Sequence, residues 1–79
     1  MRLVKIDISK AKGHHHSDIK ADGTNYLVRI SNKLYAGTFS MQWYGLNFKG
    51  WNNSTTGLQF DKPGTNGSNW QEIYQLHND

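Results

Sequence analysis

Asn25-Tyr26-Leu27-Val28-Arg29-Ile30, then Ser31-Asn32-Lys33, then Leu34-Tyr35-Ala36-Gly37-Thr38-Phe39 is the clearest structural signal in the chain. Tyr26, Val28 and Ile30 face one way, and Leu27 and Arg29 the other. A strand imposes this period of two, because successive side chains leave opposite faces of the pleat. Aromatic and β-branched residues favour that pleat. Ser31-Asn32-Lys33 provides a tight connection, so residues 34–39 are expected to return as the hairpin partner.

The same signal recurs on both sides. Residues 3–9 alternate, with Val4, Ile6 and Ile8 on one side and Lys5 and Asp7 on the other, which predicts a first strand. Residues 10–24 hold Gly13, three consecutive histidines, Asp18, Asp22 and Gly23, with Ile19 the one sizeable apolar residue, and read as a long loop. Trp43, Tyr44, Leu46 and Phe48 mark another strand. Gly37 and Gly45 within these runs predict bulges or a close backbone approach. From 50 to 69 the composition turns to Asn, Ser, Thr and Gly, broken by Leu58-Gln59-Phe60, a candidate short strand, and by the turn pair Pro63-Gly64. Residues 70–76 fit a strand with Trp70, Glu72, Tyr74 and Leu76 on one side. They also fit a short helix with Trp70, Ile73, Tyr74 and His77 at helical spacing, and the strand-forming Trp, Ile and Tyr favour the strand.

The chain is therefore expected to be mainly β: one domain over residues 1–79, a small curved antiparallel sheet or barrel-like roll of five or six strands, with at most one short helix. With 79 residues the core is modest, and with no cysteine there is no disulfide to support it, so self-association as a homo-oligomer, a dimer, is expected. No apolar run approaches the ~20 residues of a membrane helix, and the N-terminus lacks the apolar core of a secretion signal. No membrane partner and a cytoplasmic setting are expected.

Composition points to binding. The hydrophobic fraction is 35%, yet aromatic residues make up 13%, enough rings to fill a small core and leave some outside it. Nine Lys and Arg against six Asp and Glu give a net charge of +3, and seven of the nine lie between Arg2 and Lys33. A one-sided basic surface with outward rings suits RNA or a single-stranded nucleic acid, because flat rings stack on bases while cations reach phosphates. Lys5, Arg29, Lys33 and Lys49 are the candidate phosphate contacts, and Trp43, Tyr44 and Trp51 the stacking rings, with Trp51, between Gly50 and Asn52, the most exposed.

His14-His15-His16 invites a metal or acid–base reading, since imidazole serves both. The tract lacks a recognisable ligand set, so no metal or cofactor is expected. The bland reading is a solvated polar loop, and the functional one is contact of His14 and His16 with phosphate or an acidic partner. Gly64-Thr65-Asn66-Gly67-Ser68 lacks the Lys-Ser/Thr of a phosphate-binding loop, and the eight asparagines are explained first by turns. No nucleophile motif is present, so no catalytic residue is expected. A small ribonuclease using His and Lys is the one enzymatic alternative.

Two further readings come from other classes. Tyr, Trp and Arg dominate protein interfaces, so the chain also suits a small inhibitor or adaptor docking on a protein. In size and compactness it resembles the small accessory proteins that bacteriophages make against host enzymes, a general likeness that assigns no residue. A pocket for a nucleotide or saccharide, built from Trp, Asn and His, is the other reading.

Overall fold

The structure is a computed structural model, and it describes residues 2–50, 55–62 and 70–77. β1 (Arg2–Lys5) is followed by a 3-10 turn at Ile8–Lys10, by β2 (Ala11–Lys12) and β3 (His15–His16), and then by β4 (Tyr26–Ile30) and β5 (Lys33–Gln42). β6 (Gly45–Gly50), β7 (Thr55–Gly57) and β8 (Trp70–His77) complete the order. A six-stranded sheet runs β1-β8-β4-β5-β6-β7, all neighbours antiparallel, and β2 and β3 form a separate two-stranded ribbon. The sheet is open, with β1 and β7 at its edges, so the expected antiparallel sheet forms without closing into a barrel.

The β4–β5 hairpin forms where the alternation predicts it, Ile30 opposite Lys33, across a two-residue turn. Ser31 and Asn32 both have positive φ, 50° and 68°, the signature of a type I′ turn, whose twist matches that of paired strands. β5 extends to Gln42, which moves Trp43 and Tyr44 out of the predicted strand and into the β5–β6 turn. Both flagged glycines are places of close approach. A Cβ on Gly37 would overlap the Lys49 carbonyl of β6. Gly45 has φ +141°, and a Cβ there would lie 2.5 Å from the His14 Cβ.

β8 is a strand, not a helix, but its facing differs from simple alternation. Its register against β4 shifts between Arg29 and Ile30, so Trp70 pairs with Ile30 while Glu72 pairs with Arg29. This bulge turns Trp70 inward alongside Ile73, both 0% exposed, while Glu72 and Tyr74 face the other way.

The core lies on one side of the sheet: Tyr26 and Val28 of β4, Phe39 of β5, Leu46 and Phe48 of β6, Ile73 and Trp70 of β8, and Leu58 and Phe60 beyond β7. Residues 6–20 cover this side and correct two sequence expectations. First, β1 ends at Lys5. Asp7 caps the 3-10 turn by accepting the Ser9 N–H at 2.9 Å, so Ile6 drops into the core instead of continuing a strand to residue 9. Leu3 and Val4 stay exposed. Second, the predicted loop at 10–24 is built structure that buries Ile19 and His16. It crosses beneath the sheet from β8, where the Ile6 N–H donates to Ile73 O, to β6, where the Leu46 N–H donates to His14 O. The strand predicted around Leu58 lies earlier, at Thr55–Gly57, and Leu58 and Phe60 are core residues after it. No helix among the described residues is long and apolar enough to cross a membrane.

Candidate nucleic-acid interface

With the core on one side, the sheet's other face carries side chains that are exposed or half-buried among the described residues. Strand alternation and register place Lys5 of β1 beside Tyr74 of β8, Tyr74 beside Leu27 of β4, and Leu27 beside Ala36 of β5. The adjacent row is Glu72, Arg29 and Leu34. Lys49, opposite Thr38, continues the same face on β6. Leu34 and Lys49 are exposed, while Leu27, Arg29, Glu72 and Tyr74 are half-buried.

Glu72 organises this face. Its Oε1 accepts from Arg29 Nε at 2.9 Å, and its Oε2 lies 3.2 Å from Lys5 Nζ. The Lys5 ammonium and the Arg29 guanidinium hold its carboxyl below the usual range for glutamate, and the Tyr74 hydroxyl adds a hydrogen bond. Two predicted phosphate contacts, Lys5 and Arg29, are thus brought together and fixed by one carboxylate. Among the described residues, Lys5, Arg29 and Lys49 share this face with the Glu72 carboxylate.

A cleft of about 370 Å³ opens where the chain leaves β1, lined by Lys5, Ile6, Asp7, Ile8, Gln71 and Glu72. Ile8 lines it above the core residue Ile6, and its polar groups are engaged within the fold, the Asp7 carboxylate accepting from Ser9 and the Gln71 amide bonded both ways with Asn32. The Asp7 carboxyl is also held low, first by the Ser9 backbone N–H.

The remaining predicted residues lie elsewhere. Lys33 and Trp43 flank opposite ends of β5, separated by roughly 30 Å of strand at ~3.3 Å per residue. Trp43 is 95% exposed at the hairpin tip, its ring 5.3 Å from that of Tyr44 in an edge contact. Tyr44 packs edge-on against His14, with centroids 5.4 Å apart, and its hydroxyl donates to Asn47 Oδ1. Trp51, expected to be the most exposed ring, lies outside the described residues.

The histidine tract is structural where it can be followed. His16 is 5% exposed; its Nδ1 accepts from the Asp18 N–H at 3.0 Å, so Nε2 carries the proton it donates to Asp7 O at 2.7 Å. His14 Nδ1–H donates to Leu58 O at 2.9 Å, and the Phe60 N–H donates to Gly13 O. The tract fastens the covering segment to β6 and to the 58–60 stretch, which replaces the solvated-loop expectation and leaves the His16 ring committed inside the fold. His15 is exposed on β3. Among the described residues no three His, Asp or Glu side chains converge on a metal position.

Sequence reasoning missed Glu72 and Tyr74 as site residues. Their alternation was visible, but the pairing of β8 with β4 spans 43 positions, from Arg29 to Glu72, and nothing local encodes it. Comparison with protein families, curated proteins and solved structures finds no match to the chain.

Proposed function

We propose that this chain is a non-catalytic binding module whose sheet face takes RNA or another single-stranded nucleic acid. The observation that carries this reading is the half-buried Tyr74 ring set among cations on the sheet face opposite the core: Lys5 is its cross-strand neighbour and Arg29 lies in the next row. An unpaired base has a free π-face for such a ring, while the adjoining phosphates reach the ammonium and guanidinium groups. Glu72 pre-orients both cations. The overall charge of +3 favours approach of a polyanion.

Fluorescence anisotropy with labelled single-stranded RNA, single-stranded DNA and duplex DNA over a salt series tests this. Binding to single strands should exceed that to duplex and fall with salt at a log–log slope near −2, as three phosphate contacts, to Lys5, Arg29 and Lys49, require at ~0.7 each. Tyr74→Ala should weaken it about tenfold, within the ~1–3 kcal/mol that stacking contributes per base. Salt-insensitive binding, or none, refutes the proposal.

One observation favours a second reading, docking on a protein. Trp43 is almost wholly exposed within a run, residues 39–48, that has no charged side chain. The turn beneath it is held by the His14–Tyr44 ring contact and the Leu46–His14 backbone bond. An apolar ring held ready on a rigid support is the kind of anchor that dominates interface energetics. Such association would survive nuclease and high salt and be lost in Trp43→Ala, unlike association through the sheet face.

A further inference from the structure

We infer that the nucleic acid is RNA, selected over DNA by Thr38, Ser40 and Gln42 of β5, which take the ribose 2′-hydroxyls; this rests on the reading above. The face opposite the core changes character along β5. Strand alternation puts Leu34, Ala36, Thr38, Ser40 and Gln42 on it, since Phe39 between them is buried in the core. The first two are apolar and adjoin Arg29 and Leu27 of β4. The last three are polar and uncharged; Ser40 and Gln42 are exposed and Thr38 is half-buried. Within the described residues no hydrogen bond engages the two hydroxyls or the Gln42 amide, so each is free to donate and to accept.

Charge and spacing point to the sugar over the phosphate. Residues 39–48 contain no charged side chain, so Lys49, opposite Thr38, is the cation that strand pairing sets beside this row. Asn47, opposite Ser40, is not among the free groups, because its Oδ1 accepts from the Tyr44 hydroxyl. A row of uncharged hydroxyl and amide groups matches the neutral part of the strand, and the 2′-hydroxyl donates and accepts as they do. Deoxyribose has nothing to replace it. The three side chains repeat every ~6.6 Å, two residues at ~3.3 Å each, close to the step between successive sugars in an extended strand. Ala36 lies in the Tyr74 row and precedes Thr38 on this face, so a strand whose base rests on Tyr74 passes onto the row with Lys49 beside it for a phosphate.

The test compares decamers of uridine, deoxyuridine and 2′-fluorouridine by anisotropy at fixed salt. Base and phosphates are the same in all three, and the fluoro sugar keeps the ribose-like pucker without the hydroxyl. The uridine decamer should bind at least about fivefold tighter than the other two, the discrimination of one or two neutral hydrogen bonds. Thr38→Val preserves shape and strand preference, and Ser40→Ala removes one exposed hydroxyl. The double variant should bring the uridine-to-deoxyuridine ratio below about twofold, with deoxyuridine binding unchanged. The ratio is the readout because damage to the fold weakens all three decamers alike, as Tyr74→Ala should. Equal binding of the uridine and deoxyuridine decamers to the unmodified protein overturns the inference and leaves the sheet-face reading standing. A preference that the fluoro decamer shares, or that the double variant keeps, assigns the selection to strand shape or to other residues and overturns the role of this row. If no decamer binds, both readings fall.

Discussion

Gly37 and His16 each occupy a position that admits no ordinary replacement. At Gly37 the obstruction is backbone, the Lys49 carbonyl, which cannot turn aside as a side chain would. Gly37→Ala is therefore expected to cost about 3 kcal/mol, the upper end for overpacking, measured by urea denaturation. For His16 the two backbone bonds matter more than the ring. His16→Ala leaves the Asp7 carbonyl and the Asp18 N–H without their partner and should destabilise by about 2–3 kcal/mol. His16→Asn, whose side-chain oxygen can accept from Asp18 but cannot reach Asp7, should lose about half of that. Equal losses in the two variants would mean that the Asp18 bond contributes nothing.

Among elements, the β4–β5 hairpin was the most legible and is also improvable. Its alternation and its short polar turn are local, so facing and pairing could be read directly. Ser31 at φ 50° carries the left-handed penalty of an ordinary residue, which Asn tolerates better. Ser31→Asn should raise stability by about 0.5 kcal/mol, or roughly 2–4 °C in Tm by calorimetry. β8 was legible as a strand but not in its facing, because its bulge is a property of the pairing with β4. That pairing also links β1, β8 and β4 through Glu72. With its folded pKa below the ordinary 4.5, Glu72 contributes stability that is fully present above that value and is lost as pH falls through the lowered pKa. Glu72→Gln should therefore flatten the fall of Tm below about pH 4.5 relative to the parent protein. An unchanged acid profile would show that the triad adds no pH-dependent stability.

At the scale of the molecule, the consequential feature is asymmetry: among the described residues one face of the sheet buries the core under residues 6–20, and the other carries half-buried and exposed side chains. Two leucines test it. Leu58, 0% exposed, should cost about 3–4 kcal/mol on change to Ala, since a buried leucine loses both transfer energy and a filled cavity. Leu34, 49% exposed on the face opposite the core, should cost under about 0.5 kcal/mol. A stability of roughly 4–12 kcal/mol is ordinary for a chain of this length, so the first change should remove a large share of it and the second almost none.

The amino-acid order by itself determined the strand-rich character, the antiparallel hairpin at residues 26–39, the two glycines of close approach, and the excess of rings and positive charge. All of these follow from side-chain period or from residue chemistry within a few positions. Tertiary structure alone decided that Ile6 leaves the sheet, that His14 and His16 fasten a covering segment, and that Trp70 turns inward. It also decided that Lys5, Arg29, Glu72 and Tyr74, which are far apart in the chain, share one face of the sheet. The physical reason is that a strand's period fixes which residues share a side, while only pairing between distant strands fixes which side is buried and which neighbours meet there.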